Sequence, residues 1–166
     1  MKLQAKAWKF GDNISTDLIA PGRYFHLRTN LPELAKHVLE DADADFAKKV
    51  RKGDIIVAGK NFGLGSSREH AAQIIKLAGV SAVLAKSFAR IFYRNAINIG
   101  LPALEVDTDK IYAGDEVEVE PASGTVFNKT RNIGLQAKPL PEFMFQLLKD
   151  GGLVEHIKKH GDFRLQ

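Results

Sequence analysis

The chain has 166 residues, a formal net charge of +4, 45% hydrophobic and 27% charged residues, and no cysteine. That length allows one domain with a real core, of ordinary soluble globular composition. Without thiols there can be no disulfide, no cysteine-ligated zinc and no iron–sulfur cluster held by this chain's own side chains, and no apolar run approaches the roughly 18 residues of a membrane span.

In chain order, the stretch from Met1 to Lys6 lacks the apolar core of a signal sequence, which predicts a cytoplasmic location. Ala5-Lys6-Ala7-Trp8-Lys9-Phe10 alternates as a strand does, and Gly11-Asp12-Asn13 ends it. Asn13-Ile14-Ser15-Thr16-Asp17 reads as a polar loop before Leu18-Ile19-Ala20, and Pro21-Gly22 breaks the chain again. Arg23 to Asn30 mixes aromatics with cations and follows neither period, so it reads as an exposed loop. Leu31-Pro32-Glu33-Leu34-Ala35 opens a helix with proline in its first turn, carrying Leu34, Val38 and Leu39 on one side. The basic run Lys48-Lys49-Val50-Arg51-Lys52 is short and has no interleaved aromatics, as is Lys158-Lys159-His160. Both read as solvated surface, which speaks against a nucleic-acid partner.

The most informative segment comes next. The apolar strand Ile55-Ile56-Val57-Ala58 runs into a loop with Gly59, Gly63 and Gly65, and Ser66-Ser67-Arg68-Glu69-His70 then opens an alanine- and isoleucine-rich helix reaching about Ala78, with Gly79 as its cap. Glycines let backbone approach a ligand closely. The free N–H groups of a helix start favour an anion, and an arginine fork can grip a carboxylate at two points. The loop therefore reads as a site for a small anion beside a serine hydroxyl. Ser66-x-x-Glu69 also fits a capping box. Helix punctuation would account for the serine, the glutamate and one glycine, though not for tandem serines after two glycines or for Arg68. A nucleotide is a poor choice of anion, because Arg68 stands where the dinucleotide fingerprint needs glycine and no Gly-Lys-Ser/Thr ends the loop.

Val80 to Ala85 is the next apolar strand, Phe88 to Ile99 a helix closed by Gly100, and Leu101 to Val106 a further strand. This β-α-β-α-β succession predicts an α/β fold with a mixed, partly parallel sheet and covering helices. Glu116-Val117-Glu118-Val119-Glu120, the turn Ser123-Gly124 and Thr125-Val126-Phe127 form a hairpin with one wet face. Two helices, about Glu142 to Lys149 and Leu153 to Lys159, close the chain, and no linker divides residues 1–166 into more than one domain.

Three segments carry a resemblance: Asn13-Ile14-Ser15-Thr16-Asp17, the stretch Gly59 to His70, and Lys86-Ser87-Phe88-Ala89-Arg90-Ile91-Phe92-Tyr93-Arg94-Asn95. In order and spacing they resemble the swivelling β/β/α domain of the aconitase superfamily, most closely the separate small subunits of 3-isopropylmalate dehydratases. The resemblance covers nearly the whole chain, as one swivelling domain. It implies a hydro-lyase that isomerises a malate derivative by dehydration and rehydration in leucine biosynthesis, active only with a large subunit. It also implies no cofactor and no metal on this chain, and a [4Fe–4S] cluster on the partner.

Residue by residue, the resemblance makes Ser66 the catalytic base. Ser67 and Arg68 would hold substrate carboxylate, Arg28 a second carboxylate, and Asp17 would line the same site. Tyr24, His26, Leu27 and Thr29 would form a specificity loop. That loop leaves homoaconitate hydratase and methyl-substituted malate dehydratase small subunits as alternatives, and the glycine loop by itself leaves a non-catalytic anion-binding module. His70 reads as packing in the first helical turn or touching substrate. His37, His156 and His160 read as surface or interface groups. Arg90 and Arg94, four apart on one helical face, read as structural, binding acids within the chain or facing the large subunit.

Overall fold

One seven-stranded mixed sheet organises the molecule, and its first strand is the seam between two modes of pairing. The structure, a computed structural model, describes residues 2–66 and 68–161. The strands are β1 (Leu3–Lys9), β2 (Ile55–Ala58), β3 (Ala82–Ala85), β4 (Ala103–Glu105), β5 (Glu116–Glu120), β6 (Thr125–Asn128) and β7 (Ile133–Gln136), in the order β4-β3-β2-β1-β5-β6-β7. On one side of the seam β1 to β4 run parallel; on the other, β5 to β7 add antiparallel.

The helices are α1 (Thr16–Ile19), α2 (Leu31–Ala35), α3 (Phe46–Lys49), α4 (Glu69–Leu77), α5 (Arg90–Asn98), α6 (Glu142–Lys149) and α7 (Leu153–His160). Successive strand residues point to opposite faces, and both faces of a parallel strand are covered, so β2 and β3 are buried throughout. Ile56, Ala58, Val83 and Ala85 pack with Ala71, Ala72, Ile74 and Ile75 of α4 and Phe92 and Ala96 of α5. Ile55, Val57, Ala82 and Leu84 pack on the other face with Leu147 and Leu148 of α6 and with Val117, Val119 and Val126 of the hairpin. Among the described residues, no helix is long and apolar enough to cross a membrane.

The expected mixed sheet with covering helices is present, but three local expectations need correction and two short elements are not anticipated by the sequence. Gly22–Leu27 is a 3-10 helix rather than a loop. Its bonds run over three residues, and Arg23 pins it from outside, with Nη1 and Nη2 each 2.8 Å from a carboxylate oxygen of Asp41. Neither device needs an apolar period. The helix opened at Leu31 stops at Ala35; Val38 and Leu39 are buried from a turn, with Leu39 at φ 55°. The strand β7 and the single turn α3 have no sequence counterpart, being too short for a period to register. Finally, His156 is not a surface group, for its side chain is 1% exposed and its Nδ1 lies 2.7 Å from Asp150 Oδ2. His160 Nε2 reaches the same oxygen at 3.1 Å, and Lys159 Nζ reaches the other at 3.2 Å. The His156 bond, helped by Lys159 and His160 against the effect of burial, holds the Asp150 carboxyl at about 2. This hub ties the end of α6 to α7.

Candidate active site

The site lies beyond the carboxyl ends of the parallel strands, where α/β sheets hold their ligands. The loops after β1, β2 and β3 do not splay apart there; they continue the ladder. Asn13 N–H donates to Lys60 O at 2.7 Å, Gly63 N–H to Ile14 O at 2.7 Å, and Thr16 N–H to Leu64 O at 2.8 Å. On the far side Phe62 N–H donates to Ser87 O at 3.0 Å and Ala89 N–H to Phe62 O at 2.9 Å. Three loops distant in sequence are thereby fixed against one another.

Two glycines make this closeness possible. Gly63 has φ 83°, and a Cβ there would sit 2.3 Å from Phe92 Cβ and Cγ. Gly65 has φ 110°, and a Cβ there would lie 3.2 Å from Thr16 Oγ1. Both positions lie in the left-handed region that a side chain disfavours.

The capping box does not form. Helix α4 starts at Glu69, and its N-cap is Arg68, with no side-chain cap bond. Ser66 stands earlier, with its carbonyl accepting from Arg68 N–H at 2.8 Å, and its residue surface is exposed. Its hydroxyl faces Thr16: the two oxygens are 3.4 Å apart, and Thr16 Oγ1 donates to Ser66 O at 3.1 Å. Ser66, Thr16, Arg68, Arg90 and Asn95 line one cavity of about 260 Å³.

Arg68 is anchored at one nitrogen only. Nη1 donates to Ala20 O at 2.9 Å and to Asp17 Oδ1 at 3.2 Å. The rest of the fork has no hydrogen-bond partner among the described residues, leaving donors for an anion. Asp17 is thus Arg68's partner, reaching the site through it. Arg28 does not line the cavity; it stands behind Phe25, with Cζ 4.3 Å from that ring's centroid, and Arg68 Cζ lies 5.9 Å from the same centroid. The His70 ring meets Phe25 edge-on at 6.4 Å. Partial burial, then the Arg68 and Arg28 charges, hold the His70 imidazole below its usual range.

Of the other expected site residues, Ser67 lies outside the described residues. Tyr24 is turned away, stacked on His37 at 3.8 Å with Arg23 over its ring at 4.8 Å. Leu27 packs against the core, while His26 and Thr29 are exposed. Arg90 joins the cavity wall, whereas Arg94, also exposed, does not. Neither Thr16 nor Asn95 has a site role legible in the sequence, since nothing in the spacing of Thr16 announces a partner 50 residues away. The group of carboxylate and imidazoles close enough to share a metal, Asp150, His156 and His160, belongs to the α6–α7 hub, where Lys159 already holds the other carboxylate oxygen.

The sequence and the overall fold have relatives among known proteins. The family model of the aconitase C-terminal domain matches residues 13–109. The 3-isopropylmalate dehydratase small subunit 2 of Archaeoglobus fulgidus is 66% identical over 165 residues, spanning 99% of this chain and 100% of its own. The corresponding small subunit 1 of Thermotoga maritima is 65% identical, over 97% of this chain and 98% of its own. The crystal structure of 3-isopropylmalate dehydratase from Methanocaldococcus jannaschii superposes with a TM-score of 0.92 at 45% identity, covering 97% of this chain and 96% of that one.

Proposed function

The chain belongs to the aconitase C-terminal domain family, among its 3-isopropylmalate dehydratase small subunits, and on that premise we propose that residues 1–166 act as one swivelling unit that closes over substrate on a large iron–sulfur subunit. The reaction is the isomerisation of 2-isopropylmalate to 3-isopropylmalate by dehydration and rehydration, in the cytoplasm, for leucine biosynthesis. What supports this reading most is the convergence of Ser66 and the half-free fork of Arg68 on one small cavity.

In this reading the Ser66 alkoxide takes the proton from the carbon next to the one bearing hydroxyl. The C–H electron pair becomes the new C=C bond as hydroxide leaves the neighbouring carbon. In the return half, water adds its hydroxyl to the first carbon, its remaining proton neutralises the hydroxide released before, and Ser66 hands its own proton to the second carbon, which restores the alkoxide. A free serine hydroxyl is too weak an acid for this, so the oxyanion must be stabilised by fixed donors and cations around it. Arg68, with Ser67 beside it, grips one substrate carboxylate, because a buried carboxylate needs charge-assisted partners. Arg28 takes the other when the 3-10 segment closes. His26, Leu27 and Thr29 beside it choose among malate derivatives; Tyr24, engaged with His37, supports that segment from behind.

The donors around Ser66 are hydroxyls, an amide and guanidiniums, and the chain has no cysteine, so nothing at this site fits a [4Fe–4S] cluster. The large subunit would hold it, and would thereby supply a Lewis acid for the substrate hydroxyl. The test is anaerobic reconstitution with a candidate large subunit, assayed on 2-isopropylmalate, homoaconitate and citraconate. Turnover only in the mixture, and best on 2-isopropylmalate, is expected. Turnover by the chain alone would overturn the subunit reading, and preference for another substrate would overturn the choice of malate derivative.

A further inference from the structure

Thr16 is 3% exposed, and its backbone is fully engaged: its N–H donates to Leu64 O at 2.8 Å and its carbonyl accepts from Ala20 N–H at 2.8 Å. Its position is therefore set by the loop ladder, and only the hydroxyl is free to choose. Two oxygens of one residue lie within its reach, Ser66 O at 3.1 Å and Ser66 Oγ at 3.4 Å.

A threonine hydroxyl carries one proton. With Ser66 neutral, the nearer carbonyl takes it. An alkoxide is the stronger acceptor, and bonds from O–H to an ionised oxygen draw in to roughly 2.5–2.7 Å. Turning the proton from one acceptor to the other needs only rotation about the Cβ–Oγ1 bond. Gly65 leaves the room for this, because a Cβ there would press on Thr16 Oγ1 from 3.2 Å.

We propose, resting on the assignment of Ser66 as base, that Thr16 is a positioning residue whose hydroxyl switches from the Ser66 carbonyl to Ser66 Oγ whenever that oxygen carries charge. It stabilises the alkoxide before proton abstraction and releases it once the proton is on Ser66. No proton leaves Thr16 at any stage. The donor is buried and held in place before the charge appears, which is the condition under which such donors are worth most.

The experiment uses the reconstituted two-subunit enzyme carrying Thr16→Val, which keeps the branched shape and removes the donor. Turnover should fall by about 10²-fold, as for loss of one donor to an oxyanion, with KM little changed. Thr16→Ser should recover most of it. With substrate deuterated at the carbon that loses its proton, the primary isotope effect should rise in Thr16→Val, because that step has become slower. A packing role would lower the yield of assembled enzyme or raise KM and leave the isotope effect unmoved. Should Thr16→Val not assemble, Thr16→Ala set against Thr16→Ser gives the same comparison. Near-normal turnover and isotope effect in the valine variant, with Ser66→Ala inactive, would overturn the role of Thr16 and leave the base standing. An active Ser66→Ala would overturn both.

Discussion

Arg68, the N-cap of α4, and Asp17 in α1 are bonded Nη1 to Oδ1 at 3.2 Å, although the Asp17 side chain is 68% exposed and that of Arg68 23%. A pair so open to water adds little stability. Its effect is to aim the guanidinium, whose second anchor is the carbonyl of Ala20. Asp17→Asn should raise KM modestly and leave turnover nearly intact. Arg68→Lys keeps charge but loses the planar fork. At roughly 1.5–3 kcal/mol for a charge-assisted bond, kcat/KM should drop by about 10–100-fold. Steady-state kinetics of both variants in the reconstituted enzyme checks the order of effects.

Phe25 is 48% exposed, yet it touches Arg28, Arg68 and His70. Each exposed cation–π contact is worth about 0.5–1 kcal/mol, so Phe25→Leu should raise KM by roughly two- to fivefold. The same cluster makes a prediction for the isolated chain. Burial and two arginine charges depress the His70 imidazole, so Arg28→Ala should let it titrate at higher pH than in the parent. An NMR titration of the His70 ring reads this directly; no upward movement would separate Arg28 from the site.

Gly63→Ala tests the close approach of loop and helix. The new methyl meets Phe92 at 2.3 Å in a backbone with φ 83°. Left-handed strain of about 1–2 kcal/mol and overpacking of about 1–3 kcal/mol should add to roughly 2–5 kcal/mol of lost stability. Denaturant unfolding of the isolated variant measures it.

The Asp150 hub gives acid sensitivity to the α6–α7 pair. Bonds from His156, Lys159 and His160 hold the folded carboxyl at about 2, below its ordinary 3.8. The folded value being the lower one, the stabilisation is complete above the unfolded value and disappears as pH falls toward 2. Thermal unfolding of Asp150→Asn should therefore begin lower than the parent at pH 5, with the two converging as pH drops through that window. A constant difference across it would remove Asp150 as the cause.

Much of this architecture is legible in the sequence because buried parallel strands read as unbroken apolar runs, as in Ile55 to Ala58 and Val80 to Ala85, with a helical period between them. The hairpin is legible from the alternation of Glu116 to Glu120. The 3-10 segment from Gly22 is hidden because Arg23 and Asp41 hold it through a long-range ion pair. Ile133–Gln136 is hidden because only its pairing with β6 makes it a strand. At the site, the serine, arginine and glycines are conspicuous in the sequence, whereas Thr16 gains its place through a ladder of bonds between segments about fifty residues apart.

Whether Ser66 moves the proton is tested most directly by Ser66→Ala in the anaerobically reconstituted enzyme. Ser66 makes no helix cap and its surface is exposed, so the variant should fold and bind the large subunit as the parent does. Turnover of 2-isopropylmalate should fall by orders of magnitude, with assembly unchanged on a sizing column. Near-normal turnover in the assembled variant would contradict the assignment.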